Sequence, residues 1–153
     1  MKFLEARIPP PLIALVIGVG MWGVGKWQAA LAVDPRWQLA VAILLGVIAF
    51  SVAFAGFLAL RGAGTTVDPV NVDRASSVVT NGVYGITRNP MYVGLTILLA
   101  AWAVWLSVPW AFLGPVVLAM YTHRFQILPE ERAMEEKFGA EYLAYKQRVR
   151  RWL

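Results

Sequence analysis

Four long apolar segments limit the folds open to this chain. They run over residues 11–33, 37–60, 90–106 and 109–128. A membrane-spanning helix needs about 20 apolar residues, in a range of roughly 17 to 25, so the third segment lies at the lower limit. A chain of 153 residues with 59% hydrophobic and only 15% charged residues cannot bury this much apolar surface inside one small globule. We therefore predict an all-α integral-membrane protein of one domain, residues 1–153, with these segments as four transmembrane helices.

The basic residues predict the orientation of these helices. Lys and Arg are concentrated before the first segment, between the second and third, and after the fourth, whereas the opposite side holds only Arg36. Because cytoplasmic loops are enriched in Lys and Arg, we predict that both termini and the 61–89 loop are cytoplasmic, at the inner membrane if the source is bacterial. We therefore attribute the net charge of +5 to the enrichment of Lys and Arg in the cytoplasmic segments. The predicted partner is the lipid bilayer and not nucleic acid.

Two features of the sequence narrow the chemistry. The chain has no Cys, which excludes disulfides, thiolate catalysis and Cys-based metal centres, and no metal site is predicted. The stretch GVGMWG, residues 18–23, matches the dinucleotide-binding pattern GxGxxG. That pattern requires a preceding strand and a βαβ unit, so inside an apolar helix these glycines favour close helix packing instead. Lys26, in the same segment, either snorkels to the interface or lines a cavity.

The region after the fourth segment predicts a surface helix. Pro129 suits the first position of a helix, and Gly139 is expected to break or kink it. From Phe138 onward, apolar residues recur on one helical face opposite a basic side: Phe138, Tyr142, Tyr145, Val149 and Trp152. We predict a C-terminal amphipathic helix that lies on the membrane interface, with Trp152 as an anchor.

The stretch TRNPMYVG, residues 87–94, places polar residues at the start of the third apolar segment. Asn89 is expected to cap the helix with its side-chain oxygen, and Pro90 suits the next position. The simplest interpretation is a capped helix with a snorkelling Arg88. The alternative is a polar pocket, because Tyr84 and Tyr92 flank the cap and a pair of glutamates, residues 130 and 131, returns to the same side of the membrane.

Such a pocket suits a zwitterionic cofactor. Arg88 and the helix start can take a carboxylate. Glu130 or Glu131 can take an ammonium group or ribose hydroxyls, and the tyrosine rings can face a sulfonium or an adenine. Any cofactor site here must be assembled from helix ends and loops, because after four spans no stretch is long enough for a Rossmann-type sheet.

Two stretches together carry a family resemblance: VVTNGVYGITRNPMYVG, residues 78–94, and PEERAMEEKFGAEYLAYKQRVRRWL, residues 129–153. They resemble the superfamily of isoprenylcysteine carboxyl methyltransferases and phospholipid N-methyltransferases, which are integral-membrane enzymes that use S-adenosylmethionine. The resemblance covers residues 76–152, and it implies that this half binds the cofactor. The first two apolar segments match in character only.

The resemblance also implies which residues contact S-adenosylmethionine: Val78, Val79, Tyr84, Arg88, Asn89, Pro90, Tyr92, Glu130 and Glu131. Asn89 stands where the family has a histidine. Asparagine can position a ligand by hydrogen bonds, but it cannot titrate near neutral pH, so we expect cofactor positioning and no base role at this position.

Two residues near the end of the fourth segment are candidates for the substrate side of the reaction. His123 is either a base or substrate contact, or a polar residue at a helix end. Arg124 either pairs with a substrate headgroup or carboxylate, or anchors the helix at the basic side of the membrane.

The function implied by the resemblance is methyl transfer to an amphiphilic acceptor at the cytoplasmic face, such as an isoprenylcysteine-like carboxylate or another small lipophilic substrate. One alternative acceptor is a phospholipid amine. Another alternative is a non-catalytic scaffold or transport accessory protein. That last alternative predicts that Arg88 and the 130–131 pair are more than about two helix diameters apart, with a helix roughly 10–12 Å wide.

Overall fold

The computed structural model describes residues 8–65 and 75–153, and every regular element in them is helical. The predicted all-α class is therefore confirmed for this part of the chain. The helices are α1 (Pro10–Gly25), α2 (Pro35–Gly62), α3 (Pro90–Leu106), α4 (Leu113–Thr122), α5 (Leu128–Phe138) and α6 (Ala140–Arg148). Short 3-10 turns cover Gly82–Gly85 and Pro109–Phe112, and a π-helical turn covers His123–Ile127.

Prolines fix where the apolar helices begin. Pro10, Pro35 and Pro90 each occupy the first turn of their helix, where the missing N–H would be unsatisfied in any case. Asp34 caps α2, and its carboxylate accepts a hydrogen bond from the backbone N–H of Arg36 at 2.8 Å. These starts agree with the predicted apolar segments to within a few residues.

The length of the helices departs from the prediction. Within the described residues, α2 is the one helix that is long and apolar enough to cross a membrane by the criteria of length and composition, whereas α1 and α3 are shorter apolar helices. The first segment was expected to be helical to residue 33, but α1 ends at Gly25. Glycines at 23 and 25 weaken the helix here, and the following stretch instead bonds to the α3–α4 turn, with Leu31 N–H donating to the Ser107 carbonyl at 2.6 Å.

Lys26 consequently lies at the end of α1 and not within a span. Its ammonium group lies 3.8 Å from the centre of the Trp22 ring. Arg36 was predicted to be the only basic residue at this end of the helices. That prediction was wrong, because Lys26 also lies there. Of the basic residues assigned to the other side, Lys2, Arg7 and Arg74 lie outside the described residues.

The predicted end of the fourth segment, at residue 128, was also wrong. Its helix does not stop at residue 128 but continues from α4 through the π turn into α5, as far as Phe138. The π turn ends two residues before Pro129, whose ring and missing N–H disrupt regular α-helical hydrogen bonding. Gly139 then ends the helix with a φ of 52°, as its predicted role as a breaker requires.

Helix α3 lies at the centre and packs against α1, α2 and α4. Its contact with α2 depends on Gly94, since a Cβ atom there would lie 2.7 Å from the Ala53 Cβ and 2.8 Å from the Ala49 carbonyl oxygen. Of the glycines in the GVGMWG stretch, Gly18 packs against α3, and its carbonyl accepts a hydrogen bond from the Trp102 indole at 3.0 Å. Gly20 has no neighbour at its Cβ position, so the predicted packing role holds at Gly18.

Helix α6 does not expose its apolar face as the predicted membrane-surface helix would. Tyr142, Tyr145 and Val149 on its apolar face are buried against Met134 and Phe138 of α5 and against Val78. Trp152 is half-buried. The apolar face thus completes the protein interior, because the break at Gly139 folds α6 back towards the residues that precede α3.

Candidate active site

A pocket lies where the end of α2, the start of α3 and helices α5 and α6 meet. Every residue predicted to contact the cofactor lines it: Val78, Val79, Tyr84, Arg88, Asn89, Pro90, Tyr92, Glu130 and Glu131. The structure therefore brings together two stretches that are about 40 positions apart in the sequence (residues 78–92 and 130–131). Sequence reasoning missed further lining residues, among them Leu60, Met134, Tyr142 and Tyr145.

Arg88 and Glu131 are in direct contact across the pocket wall. The Arg88 Nη2 donates to Glu131 Oε1 at 2.7 Å, and the two side chains are only 8% and 6% exposed. Arg88 Nη1 also donates to the carbonyls of Val149 at 2.7 Å and Lys146 at 3.0 Å. The separation that the non-catalytic alternative predicts is therefore not observed.

Glu131 holds a second arginine as well. Arg151 donates from Nε to Oε1 at 2.8 Å and from Nη2 to Oε2 at 2.7 Å. Burial alone would raise the pKa of the Glu131 carboxyl, but the hydrogen bonds from Arg151 and Arg88 and their positive charges outweigh it and lower that pKa to about 2. Glu131 is therefore ionised at neutral pH.

Glu130 has a different environment on the same turn of α5. The Tyr92 hydroxyl donates a short hydrogen bond to Glu130 Oε1. Burial raises the pKa of the Glu130 carboxyl to about 8; the hydrogen bond from Tyr92 opposes that shift, and the negative charge of Glu131 adds to it. At neutral pH this carboxyl is mainly protonated in the free protein.

Buried phenol groups form the rest of the polar lining. The Tyr145 hydroxyl donates to the Tyr84 carbonyl at 2.7 Å. Burial raises the pKa of Tyr145 to about 12, and it raises the pKa of Tyr84 and Tyr142 well above the ordinary value. These rings stay neutral at physiological pH, so they offer aromatic faces and hydroxyl groups but no negative charge.

Asn89 begins α3 as predicted, but its side chain does not cap the helix. Its amide nitrogen instead donates to the Arg151 carbonyl at 2.9 Å, while its own backbone N–H donates to the Thr87 hydroxyl at 3.2 Å. The capping prediction was wrong because the Asn89 side chain is turned towards Arg151, whose carbonyl accepts from its amide nitrogen, and its oxygen does not cap the helix. The N–H groups of the first turn of α3 are thus left without a side-chain cap beside the pocket.

His123 and Arg124 lie on the π turn between α4 and α5, and neither lines the pocket. His123 is half-buried, and the exposed Arg124 places its guanidinium 5.5 Å from the centre of the Phe125 ring. The structure does not bring them to the cofactor-side residues, so their roles towards a substrate stay predictions.

Comparison with known proteins identifies the family. The family description "Phospholipid methyltransferase" matches residues 37–141, a range that begins within α2, contains α3 to α5 and includes most of the pocket. The chain therefore belongs to the phospholipid methyltransferase family, which is part of the isoprenylcysteine and phospholipid methyltransferase membrane superfamily predicted from the sequence. The family indicates methyltransferase activity in a membrane.

A relative from Haemophilus influenzae is 48% identical over 63 residues, which are 41% of this chain and 100% of that protein. That relative bears the name "Uncharacterized protein", which assigns it no activity. The likeness therefore adds a bacterial relative but no substrate.

Proposed function

We propose that this chain is an integral-membrane methyltransferase that transfers a methyl group from S-adenosylmethionine to an amphiphilic acceptor. The observation that carries the proposal is the pocket in which the Arg88–Glu131 ion pair and the Tyr92–Glu130 hydrogen bond lie side by side. It joins the two stretches that resemble the superfamily, within the residues that match the family.

The pocket residues fit the chemistry of this cofactor. Glu130 offers a carboxyl group to an ammonium or to ribose hydroxyls, and the rings of Tyr84 and Tyr92 suit a sulfonium or an adenine. The buried Nε of Arg88 has no hydrogen-bond partner among the described residues. An unpaired buried donor is costly, and a ligand carboxylate at this wall would supply the missing acceptor.

The bound cofactor would supply a methyl group that its sulfonium already activates for displacement. The protein's own residues then have three tasks: to hold the ligand, to align the acceptor and to exclude water. Glu131 stays ionised and keeps Arg88 in place. Glu130 is the group that can change its protonation state when a cation enters the pocket.

The outer surface of the helices supports a place within the bilayer. Exposed apolar side chains cover α2, where Trp37 is 72%, Leu44 59% and Phe50 67% exposed. Burying such a surface in lipid removes the cost of its hydration. We propose four spans, with the shorter helices α1 and α3 crossing beside α2.

Charged and aromatic residues support the predicted orientation. Arg61, Arg88, Arg132 and Lys146 lie at the pocket end, which favours the cytoplasmic side. Exposed tryptophans lie at the opposite end of the helices: Trp27, Trp37, Trp105 and Trp110. Tryptophan is enriched at membrane interfaces, so these rings suit the other boundary of the bilayer.

A second cavity, of about 850 Å³, offers space for the apolar part of the acceptor. It lies between α1, α2 and α3, and its walls are almost wholly apolar. Met91 lines the first pocket and Leu95, one turn further along α3, lines the second, so the two spaces are neighbours on one face of the helix. We propose that the acceptor places its tail here and its polar head near Glu130.

A phospholipid amine is the second candidate acceptor, and Glu130 favours it. An amine must lose a proton before or during methyl transfer, whereas a carboxylate need not. The Glu130 carboxylate, once a bound cation has displaced its own proton, can take up the proton of such an amine, because the pKa of this group in the free protein is about 8. The primary candidate, a lipophilic carboxylate, would leave that property of Glu130 without a role in the chemistry.

The test is a methyl-transfer assay with the purified protein in nanodiscs, using labelled S-adenosylmethionine and a separate lipid in each reaction. Label in a phosphatidylethanolamine fraction would favour the amine acceptor, and label in a prenylcysteine analogue the carboxylate. Glu130→Ala should abolish transfer, whereas Glu136→Ala, an exposed glutamate on the same helix, should leave it unchanged. The absence of any transfer to either acceptor class would contradict the proposed substrates.

A further inference from the structure

The segment Val149–Arg151, which follows α6, lies against residues 87–89 at the start of α3. We propose that Arg151 is a positioning residue for the pocket: it fixes the Glu131 carboxylate and, through it, the Arg88 guanidinium. This inference rests on the proposed function, since it concerns how the same pocket is held in a shape that binds the cofactor.

Backbone contacts dock the two segments on each other. Thr87 and Arg150 form an isolated parallel bridge, and the Arg88 N–H donates to the Arg150 carbonyl at 3.0 Å. The carbonyl of Arg151 accepts from the Asn89 amide at 2.9 Å and from the Thr87 hydroxyl at 3.3 Å. Hydrogen bonds from residues 87, 88 and 89, at the start of α3, thus hold the chain near Arg151.

The Arg151 side chain acts on Glu131 from behind the pocket wall. Arg88 and Glu131 line the pocket, but Arg151 does not. Its Nε and Nη2 donate to different oxygens of Glu131, a paired arrangement that fixes both the position and the plane of the carboxylate. Glu131 Oε1 then accepts from Arg88 Nη2 at 2.7 Å, so Glu131 fixes one end of the Arg88 guanidinium, while the carbonyls of Val149 and Lys146 hold the other.

Other groups cannot replace this contact. Lys146 places its ammonium 3.7 Å from Glu131 Oε2, beyond hydrogen-bond distance, and it also pairs with Glu135. A lysine at position 151 would supply one point charge instead of a planar pair of donors. Without Arg151, Glu131 keeps Arg88 as a counter-ion, so the fold is expected to survive while the carboxylate gains freedom to turn.

The experiment compares Arg151→Gln and Arg151→Lys with wild type in nanodiscs, by calorimetric titration of S-adenosylhomocysteine and by thermal unfolding. Arg151→Gln should weaken binding by about tenfold or more, because the pocket must then order Glu131 and Arg88 when the ligand enters. Arg151→Lys should restore part of that loss. Arg148→Gln, an exposed arginine of α6, is the matched control and should bind as wild type does.

A double-mutant cycle separates positioning from a purely structural role. In a Glu131→Gln background the effect of Arg151→Gln on binding should largely disappear, because its route to the pocket is already broken. The inference is overturned if wild type binds and folded Arg151→Gln binds equally well, or if the two effects simply add. If Arg151→Gln does not fold, Arg151→Lys carries the same comparison. Absence of binding to wild type would instead overturn the proposed function.

Discussion

Glu130 and Glu131 are adjacent on α5, yet they have opposite electrostatic environments. Glu131 accepts hydrogen bonds from Arg88 and Arg151, and its pKa falls to about 2. Glu130 accepts a hydrogen bond from Tyr92 inside the pocket, and its pKa rises to about 8. One carboxyl therefore has a fixed charge that builds the site, while the other can gain or lose a proton there in the physiological range.

Cofactor binding is expected to release a proton from Glu130. The ammonium group of S-adenosylhomocysteine would favour the ionised carboxylate, so its affinity should rise as pH increases from about 6 to about 8 and then level off. Calorimetry in buffers of different ionisation enthalpy measures the released proton directly. Glu130→Gln should bind more weakly and with no such pH dependence; a wild-type affinity that is flat over this range would contradict the assignment.

Glu131 is expected to stabilise the fold in a pH-dependent way. Its folded-state pKa of about 2 lies below the ordinary 4.5, so the stabilisation is fully present above that ordinary value and is lost as pH falls towards 2. The contribution is at most about 3 kcal/mol. Thermal unfolding should show that Glu131→Gln is less stable than wild type at neutral pH. That difference should shrink as pH falls from about 5 to about 2, and a constant difference would argue against it.

Gly94 is expected to set the distance between α2 and α3. Gly94→Ala would force its methyl group to within 2.7 Å of the Ala53 Cβ, so it should destabilise the protein by roughly 1–3 kcal/mol. Gly20→Ala is the matched control, because a Cβ at Gly20 meets no atom within 4 Å. Unfolding in nanodiscs measures both variants, and equal stability of the two would show that the helices are not closely packed at Gly94.

The cavity between α1, α2 and α3 can be tested by filling it. Gly46 lines this cavity, and a Cβ there has no atom within 4 Å, so Gly46→Phe can enter it without a clash at the backbone. The KM for a long-chain acceptor should rise by about tenfold or more, while the affinity for S-adenosylhomocysteine stays unchanged. Gly20→Phe, outside the cavity, is the control. An unchanged KM in Gly46→Phe would place the acceptor tail elsewhere.

The sequence shows, through local signals, the two stretches that line the pocket; that they bind the cofactor stays a prediction implied by the resemblance. The Asn89–Pro90 pair indicates the start of one helix, the 130–131 glutamates indicate the start of another, and residues of both line the pocket. It predicted less well the role of the aromatic face of α6. Periodicity shows that Tyr142 and Tyr145 share a face, but it does not say whether lipid or protein covers that face.

Contacts between distant residues could not be predicted in this way. The Asn89 side chain was assigned to its own helix, but it bonds to the Arg151 carbonyl, 62 positions away. No local pattern marks Arg151, because exposed basic residues are common near it and only the fold brings this one to Glu131. The early end of α1 was missed for a related reason: hydropathy does not register the weakness of a helix at Gly23 and Gly25.

The most direct test of the account is calorimetric titration of S-adenosylhomocysteine into the purified protein in nanodiscs. We expect saturable binding at a single site, lost in Arg88→Ala and in Glu130→Ala and retained in Glu136→Ala, with all variants folded by circular dichroism. Arg88→Ala is informative because Glu131 still has Arg151 as a counter-ion. No binding by the wild-type protein, or normal binding by both pocket variants, would contradict the proposed cofactor site.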